Sequence, residues 1–295
     1  MSLSLPATRD VIPASVEVAP RQAMRSSDLP GLFPPGTRTY LTDVGVDSLR
    51  DFVAATCRLA DLGYIPVPHI PARRIRSRAE LETRIRAYAE EAGVTDVLVI
   101  GGGLDRPAGP YTSTMEVLES GLLDRHGIGE VGVAGHPEGS PEFSLATAEA
   151  ALRLKQDFRE RTGARMRIVT QFGFDPDVYV AWAMAVRESG IGLPIHIGVA
   201  GPASITTLIR YAALCGVGSS VTFLKKRGGA LTALAAQHSP ESVVGPIERH
   251  WRQTPESPIR QIHVFPFGGL TQSAAWLRER GSWPAAGGVR DQALG

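Results

Sequence analysis

A (βα)8 barrel is the fold class this sequence predicts, on three observations. Eight short segments rich in aliphatic residues recur along the chain, helix-period stretches separate most of them, and all of this fits within 295 residues. A doubly wound sheet shares the βα alternation, but eight strands in so short a chain favour closure.

The strand-like segments lie at about residues 14–19, 38–42, 63–68, 96–100, 129–134, 166–171, 194–198 and 260–266. Leu49, Phe52, Val53, Thr56 and Leu59 follow the second at helical spacing, as Leu81, Ile85, Tyr88 and Ala92 follow the third. After the fifth, Ser140-Pro141-Glu142 offers a capping hydroxyl, a first-turn proline and a carboxylate at the positive dipole end. The apolar face expected from that start is Leu145, Ala148, Leu152 and Phe158. Asp175-Pro176 opens the next helix, with Val178, Ala181, Trp182, Ala185 and Val186 expected inward and Gly190 as its stop. Residues 1–280 are therefore expected to form one barrel domain with a lead-in arm over 1–13, and residues 281–295 a loose tail.

With 43% hydrophobic and 21% charged residues, the chain can bury one large core. Thirty-one basic and 30 acidic residues leave a net charge of +1, so nothing points to nucleic acid or an anionic membrane as partner. No stretch approaches the ~18 apolar residues of a membrane helix, and Met1 to Pro13 lacks the basic segment and apolar run expected of a signal peptide. Cys57 and Cys215 are far apart and set among apolar residues, which favours free thiols and a reducing cytoplasm over a disulfide framework.

In a barrel, reactive groups gather at the C-terminal ends of the strands. The polar residues that fall there are Glu17, Thr42, His69, Asp105, His136 with Glu138, Gln171, His196 and His263. Glu17 alternates with Val16 and Val18. If the valines face the helices, its carboxylate points inward, where desolvation would raise its pKa toward that of a general acid; a salt-bridged rim carboxylate is the alternative. The stretch 97–111 is a buried strand followed by three consecutive glycines and then two prolines, a bare backbone that a ligand can approach closely, with Asp105 as its one carboxylate. Asp105 could equally be a turn residue bonding its own backbone. A dinucleotide fingerprint begins at Gly101 and Gly103 but fails at Arg106 and Pro107. No His-x-His or His-Glu-x-x-His spacing supports a metal site. Gln171 suits the edge of an amide-like heterocycle, and Lys225 to Arg227 could hold an anion or be a solvated face.

Several segments, in order, resemble the methylenetetrahydrofolate reductase family over residues 14–280: Ser15-Val-Glu17, Tyr40-Leu-Thr42, Pro68-His69, the glycine loop with Asp105, Val133-Ala-Gly-His-Pro-Glu-Gly-Ser-Pro-Glu142, Ile168-Val-Thr-Gln-Phe-Gly-Phe-Asp175, and Gly190-Ile on to Pro194-Ile-His-Ile-Gly198. The resemblance implies a (βα)8 barrel that binds FAD, takes hydride from NADH or NADPH and interconverts 5,10-methylenetetrahydrofolate and 5-methyltetrahydrofolate, in one-carbon metabolism and methionine biosynthesis. It implies Glu17 as the acid that opens the methylene bridge and Asp105 as the carboxylate that binds the pterin and stabilises the iminium cation. Gln171, Tyr211 and Thr207 then fall at substrate-binding positions, and Thr42, His69, Gly102, Gly103, Tyr111, Ala134, His136 and Ser140 at the flavin; no metal is implied, and a homo-oligomer stays open. Departures concentrate on the flavin. The family's Arg-Gly-Asp is Gly102-Gly103-Leu104-Asp105 here, its usual His is Ser140, its aromatic is His136, and a substrate-contacting Gln is Thr207. Two alternatives follow: a barrel that binds folate without redox chemistry, in methyl transfer or regulation, or direct hydride transfer from NADH without flavin.

Overall fold

The apolar runs of the sequence become strands buried on both faces. The computed structural model describes residues 11–214 and 237–284. Its strands are β1 (Ala14–Val18), β2 (Arg38–Leu41), β3 (Ile65–Pro71), β4 (Asp96–Ile100), β5 (Glu130–Gly135), β6 (Arg165–Gly173), β7 (Ile195–Ala200), β8 (Ala203–Ser204), β9 (Gln237–His238) and β10 (Ile259–Phe265). Eight of them pair in parallel and close into a barrel in the order β1-β10-β7-β6-β5-β4-β3-β2. The short strands β8 and β9 form a separate antiparallel pair.

The helices are α1 (Pro20–Arg25), α2 (Leu49–Asp61), α3 (Arg78–Ala92), α4 (Thr114–Leu118), α5 (Leu122–Arg125), α6 (Leu145–Thr162), α7 (Pro176–Glu188), α8 (Ile205–Leu214), α9 (Glu241–Gln253) and α10 (Leu270–Glu279), and Ala72–Arg74 forms a 3-10 turn after β3. The βα alternation thus closes into the (βα)8 barrel the sequence predicts.

Two layers of core hold it. Outward strand residues such as Val16, Val18, Val97, Val99, Ile197 and Val264 pack on the buried helix faces, among them Phe52, Leu59, Leu81, Ile85 and Tyr88. Each such burial is worth about 1.5–3 kcal/mol. Inside the barrel, Tyr40, Val67, Leu98 and Val169 form a smaller cluster. Beneath it, at the N-terminal ends of the strands, Arg167 donates to Asp96 (2.8 Å) and to the Tyr40 hydroxyl (2.8 Å). Arg38 donates to the other Asp96 oxygen (3.0 Å) and to Glu130 (2.7 Å). Asp96 and Arg167 are buried, and each charge has an opposite partner, which burial demands.

α2 and α3 bury the residues their spacing predicts, and Asp175 caps α7 by accepting from the Asp177 amide, with Pro176 at the first position. Gly190, with φ of 87°, follows its end in a conformation that suits glycine.

Four expectations need correction. β3 runs to Pro71 rather than residue 68, so His69 lies within the strand. Its prolines suggest an early end, but the barrel's stagger pairs residues 65–68 with β2 and residues 69–71 with β4. α6 starts at Leu145 from the cap Ser144, which accepts from the Thr147 amide; Ser140-Pro141-Glu142 is instead a turn, with a bridge between Ser140 and Phe143. The later start turns Leu145 outward, 66% exposed. α7 buries Tyr179, Ala183 and Val186, while Val178, Ala181 and Ala185 are exposed, because the Tyr179 hydroxyl is drawn inward to the Gln171 carbonyl (2.9 Å). Finally, His196 is the second residue of β7 and lies at the base, opposite Gln261, rather than at the reactive end. Burial and the nearby cations, Arg167 first, hold its pKa well below the ordinary value, so it is neutral.

At the chain ends, Ile12 is fully buried, and Trp283, in the stretch expected to be loose, is buried against Phe33 with ring centroids 5.3 Å apart. Cys57 is a free, half-buried thiol; Cys215 and the basic run Lys225 to Arg227 lie outside the described residues. No helix among the described residues is long and apolar enough to cross a membrane.

Candidate functional site

Strand alternation places Glu17. Val16 and Val18 are buried toward the helices, so the carboxylate between them enters the barrel near its C-terminal end. There Thr42, just past β2, donates to Glu17 Oε2 (3.2 Å). His69 of β3 and His263 of β10 bring their Nε2 atoms to 3.7 and 3.5 Å from Glu17 Oε1. These are ion-contact distances rather than full hydrogen bonds. Behind His263, the Ser15 hydroxyl lies 3.0 Å from Nδ1, and the Tyr40 ring packs on the imidazole with centroids 4.4 Å apart. If Ser15 donates to Nδ1, the Nε2 hydrogen of His263 points at the carboxylate.

Burial alone would raise the Glu17 pKa, as the sequence leads one to expect. The direction is the opposite: His263, the charge of His69 and the Thr42 hydroxyl together outweigh desolvation and hold it below the ordinary carboxylate range. Burial lowers His69 despite the neighbouring carboxylate. Glu17 is thus one member of a carboxylate–imidazole cluster, neither an isolated buried acid nor a rim salt bridge.

Gln171 stands at a break in the β6–β7 register between Val169 and Phe172, the kind of bulge that re-aims a side chain beside a site. Its Oε1 accepts from the Phe172 amide (3.2 Å), so its amide NH2 is left to donate. Only glycine fits opposite the bulge, since a Cβ on Gly198 would lie 2.4 Å from the Thr170 carbonyl oxygen. Next to it, Phe172, Phe265, Phe267 and Tyr211 make an aromatic wall, with Tyr211 stacked on Phe267 at 4.2 Å. Thr207 sits in the first turn of α8, its hydroxyl 2.9 Å from that of Ser204, so its polar capacity is partly used by the helix start.

The glycine loop is bound to its neighbours by arginines. Gly102 and Gly103 have φ of 100° and 61°, and a Cβ on Gly102 would press on Pro71 at 2.9 Å. Arg74 donates to the Gly102 carbonyl (2.8 Å), and Arg73 to those of Leu104 (3.1 Å) and Thr112 (3.2 Å). Asp105 is exposed on the loop and makes no hydrogen bond or ion pair with the described residues. The structure does not bring it into contact with Glu17. Tyr111 is buried in the main core.

Beside the loop, a cavity of about 400 Å³ opens between the ends of β4 and β5 and the helices α6 and α7. Ala134, His136, Trp182, Arg73 and Lys155 line it. Ser140 is outside that lining and instead accepts from the Glu142 amide (3.2 Å). The His136 ring meets Phe143 edge-on at 5.0 Å; burial first, then the Lys155 charge, lowers its pKa. Lys155 is 6% exposed, makes no hydrogen bond or ion pair with the described residues, and is pushed down to about 8 by desolvation.

Of the expected residues, the structure gathers Glu17, Thr42 and His69 at one point and Ala134 and His136 at another. Sequence reasoning singles out His263 only as one polar residue among many, and misses Phe265, Phe267, Arg73 and Lys155. Lys155 has a readable signal: Leu152, Lys155 and Phe158 share one buried face of α6, and a lysine there asks for an anion. Arg73 has none, because its partners come from distant loops.

These donors suit a flavin dinucleotide. Neither ring nitrogen of buried His69 has a hydrogen-bond partner, as a polar heterocycle edge would supply. A buried ammonium without an acid partner in a mostly apolar cavity suits a diphosphate. Among the described residues no group of three His, Cys, Asp or Glu side chains could hold a metal ion.

Comparisons with known proteins agree with the motifs. Methylenetetrahydrofolate reductase 1 of Schizosaccharomyces pombe is 40% identical over 88 residues, which cover 30% of this chain and 14% of that protein. Among solved structures, oxaloacetate acetylhydrolase is similar with a TM-score of 0.46 at 12% identity, over 92% of this chain and 80% of that one. The carboxyl transferase domain of Rhizobium etli pyruvate carboxylase has a TM-score of 0.42 at 12% identity, over 85% and 48%. Neither structural likeness is close enough to bear on function. The family model for methylenetetrahydrofolate reductase matches residues 56–226, more than half of the sequence, and the chain belongs to that family.

Proposed function

We propose that this protein interconverts 5,10-methylenetetrahydrofolate and 5-methyltetrahydrofolate by hydride transfer from NADH or NADPH, with FAD as carrier. The observation that carries the reading is Glu17, fixed inside the reactive end of the barrel between His69 and His263 with Thr42 on its second oxygen.

Opening the methylene bridge requires a proton at the departing nitrogen and compensation for the cation that develops on the one-carbon unit. Glu17 delivers the proton. Its neighbours hold the carboxyl below its ordinary range, and Ser15 behind His263 keeps that ring oriented toward it. Gln171 offers its amide to the pterin edge, the wall of Phe265, Phe267 and Tyr211 supplies flat surface for rings, and Asp105, exposed on the glycine loop, supplies the second carboxylate. In this reading Thr42 and His69 contact the flavin ring, and Ala134, His136 and Lys155 its anionic portion. FAD, when bound, supplies reversible two-electron hydride carriage.

The test is NADH and NADPH oxidation by the purified protein, with and without added FAD, in the presence of 5,10-methylenetetrahydrofolate and with product identified. Formation of 5-methyltetrahydrofolate supports the reading. Absence of folate-dependent oxidation under both cofactor conditions rejects it.

A further inference from the structure

Arg73 joins three segments. Its backbone amide donates to the Gly101 carbonyl (2.9 Å), and its own carbonyl accepts from the Ala108 amide (2.7 Å), so the turn after β3 is knitted to the loop after β4. Its side chain lines the same cavity as Lys155. The guanidinium donates through Nε and Nη1 to loop carbonyls, and Nη1 also reaches Glu142 Oε2 at 3.1 Å, while Nη2 makes no hydrogen bond to the described residues. Glu142 comes from the third segment, the connection between β5 and α6, and its carboxylate is 47% exposed.

An exposed carboxylate on a guanidinium contributes little, since solvent screens it and side-chain entropy opposes it. A diphosphate offers the same guanidinium two bidentate faces, and it also meets Lys155, which has no acid of its own. The exchange of Glu142 for phosphate oxygens is therefore downhill on charge and geometry.

Resting on the flavin reading above, we propose that Arg73 is a second diphosphate-binding residue of this cavity and that Glu142 is a carboxylate stand-in that must leave it, so the Arg73–Glu142 pair is a latch between the turn after β3 and the approach to α6. The latch tunes affinity for the adenosine diphosphate portion of a dinucleotide. Neutralising Glu142 releases the guanidinium, and neutralising Arg73 removes one of the two cations.

The experiment is titration of the full chain with FAD, by flavin fluorescence, and with ADP, by calorimetry, for wild type, Glu142→Gln and Arg73→Gln. The expected result is tightening of both ligands by up to about fivefold in Glu142→Gln and weakening by about 10- to 100-fold in Arg73→Gln. Glu142 is exposed, so its variant reports even if Arg73→Gln folds poorly, and Arg73→Lys then serves as the charge-retaining control. If wild type binds FAD and ADP but Glu142→Gln stays within experimental error of it and Arg73→Gln within twofold, the latch is overturned and the flavin reading survives. If neither ligand binds to wild type or to Glu142→Gln, both fall. Binding by Glu142→Gln alone supports the latch.

Discussion

At the base of the barrel, Arg38, Asp96, Glu130, Arg167 and the Tyr40 hydroxyl complete one another's hydrogen bonds. At the opposite end, neither nitrogen of His69 has a hydrogen-bond partner, Glu17 meets its histidines only at 3.5 and 3.7 Å, and Lys155 in the adjoining cavity has no acid. The same barrel wall carries both ends, so the difference is not one of fold. Buried charge that is internally satisfied specifies and stabilises, whereas buried charge left open costs stability and is retained where it meets a ligand. The C-terminal face is where barrel sites lie, and Glu17 with its two histidines stands at that end of this barrel.

The sharpest way to break this contrast is to damage the base. Asp96→Asn leaves Arg167 buried without its charge partner and is expected to cost about 3–5 kcal/mol of unfolding free energy, read by denaturant titration. A loss under 1 kcal/mol would mean the base is no more committed to stability than the reactive end.

At the reactive end, removal of a charge should do the reverse. A lysine whose pKa falls from 10.5 to about 8 on folding is protonated more readily in the unfolded chain, so between those values stability rises with pH, and below about 8 the full penalty applies. Lys155→Met is expected to stabilise the protein by about 3 kcal/mol at neutral pH and to abolish the rise between pH 8 and 10.5. A destabilised Lys155→Met with the rise unchanged would show that the ammonium is satisfied after all.

Much of this was legible in the sequence, and the misses share a cause. Apolar runs and helical spacing placed the eight strands, and the Val16-Glu17-Val18 alternation aimed the carboxylate correctly. Asp175-Pro176 capped its helix as read, because that signal is local. His69 lies within β3 and not past its end, because barrel stagger, a tertiary property, carries the strand through its prolines. His196 lies at the base and not at the reactive end, a difference hidden from sequence because a one-dimensional apolar run does not show which half of a strand faces the site. Ser140 yields the cap to Ser144, whose hydroxyl accepts from the Thr147 amide, because the helix start is set by packing rather than by the local signal. The direction of the Glu17 pKa depended on His263, 246 residues away along the chain, and Arg73 gained its meaning from three loops at once.

The most direct test of the central claim, that Glu17 and its imidazoles are the proton-delivering centre, is Glu17→Gln followed by folate-dependent NADH oxidation and thermal unfolding. The account predicts a fall in turnover of about 10²- to 10⁴-fold, the range for a positioned acid, with a melting temperature close to that of wild type and flavin still bound. Full turnover in Glu17→Gln would contradict it.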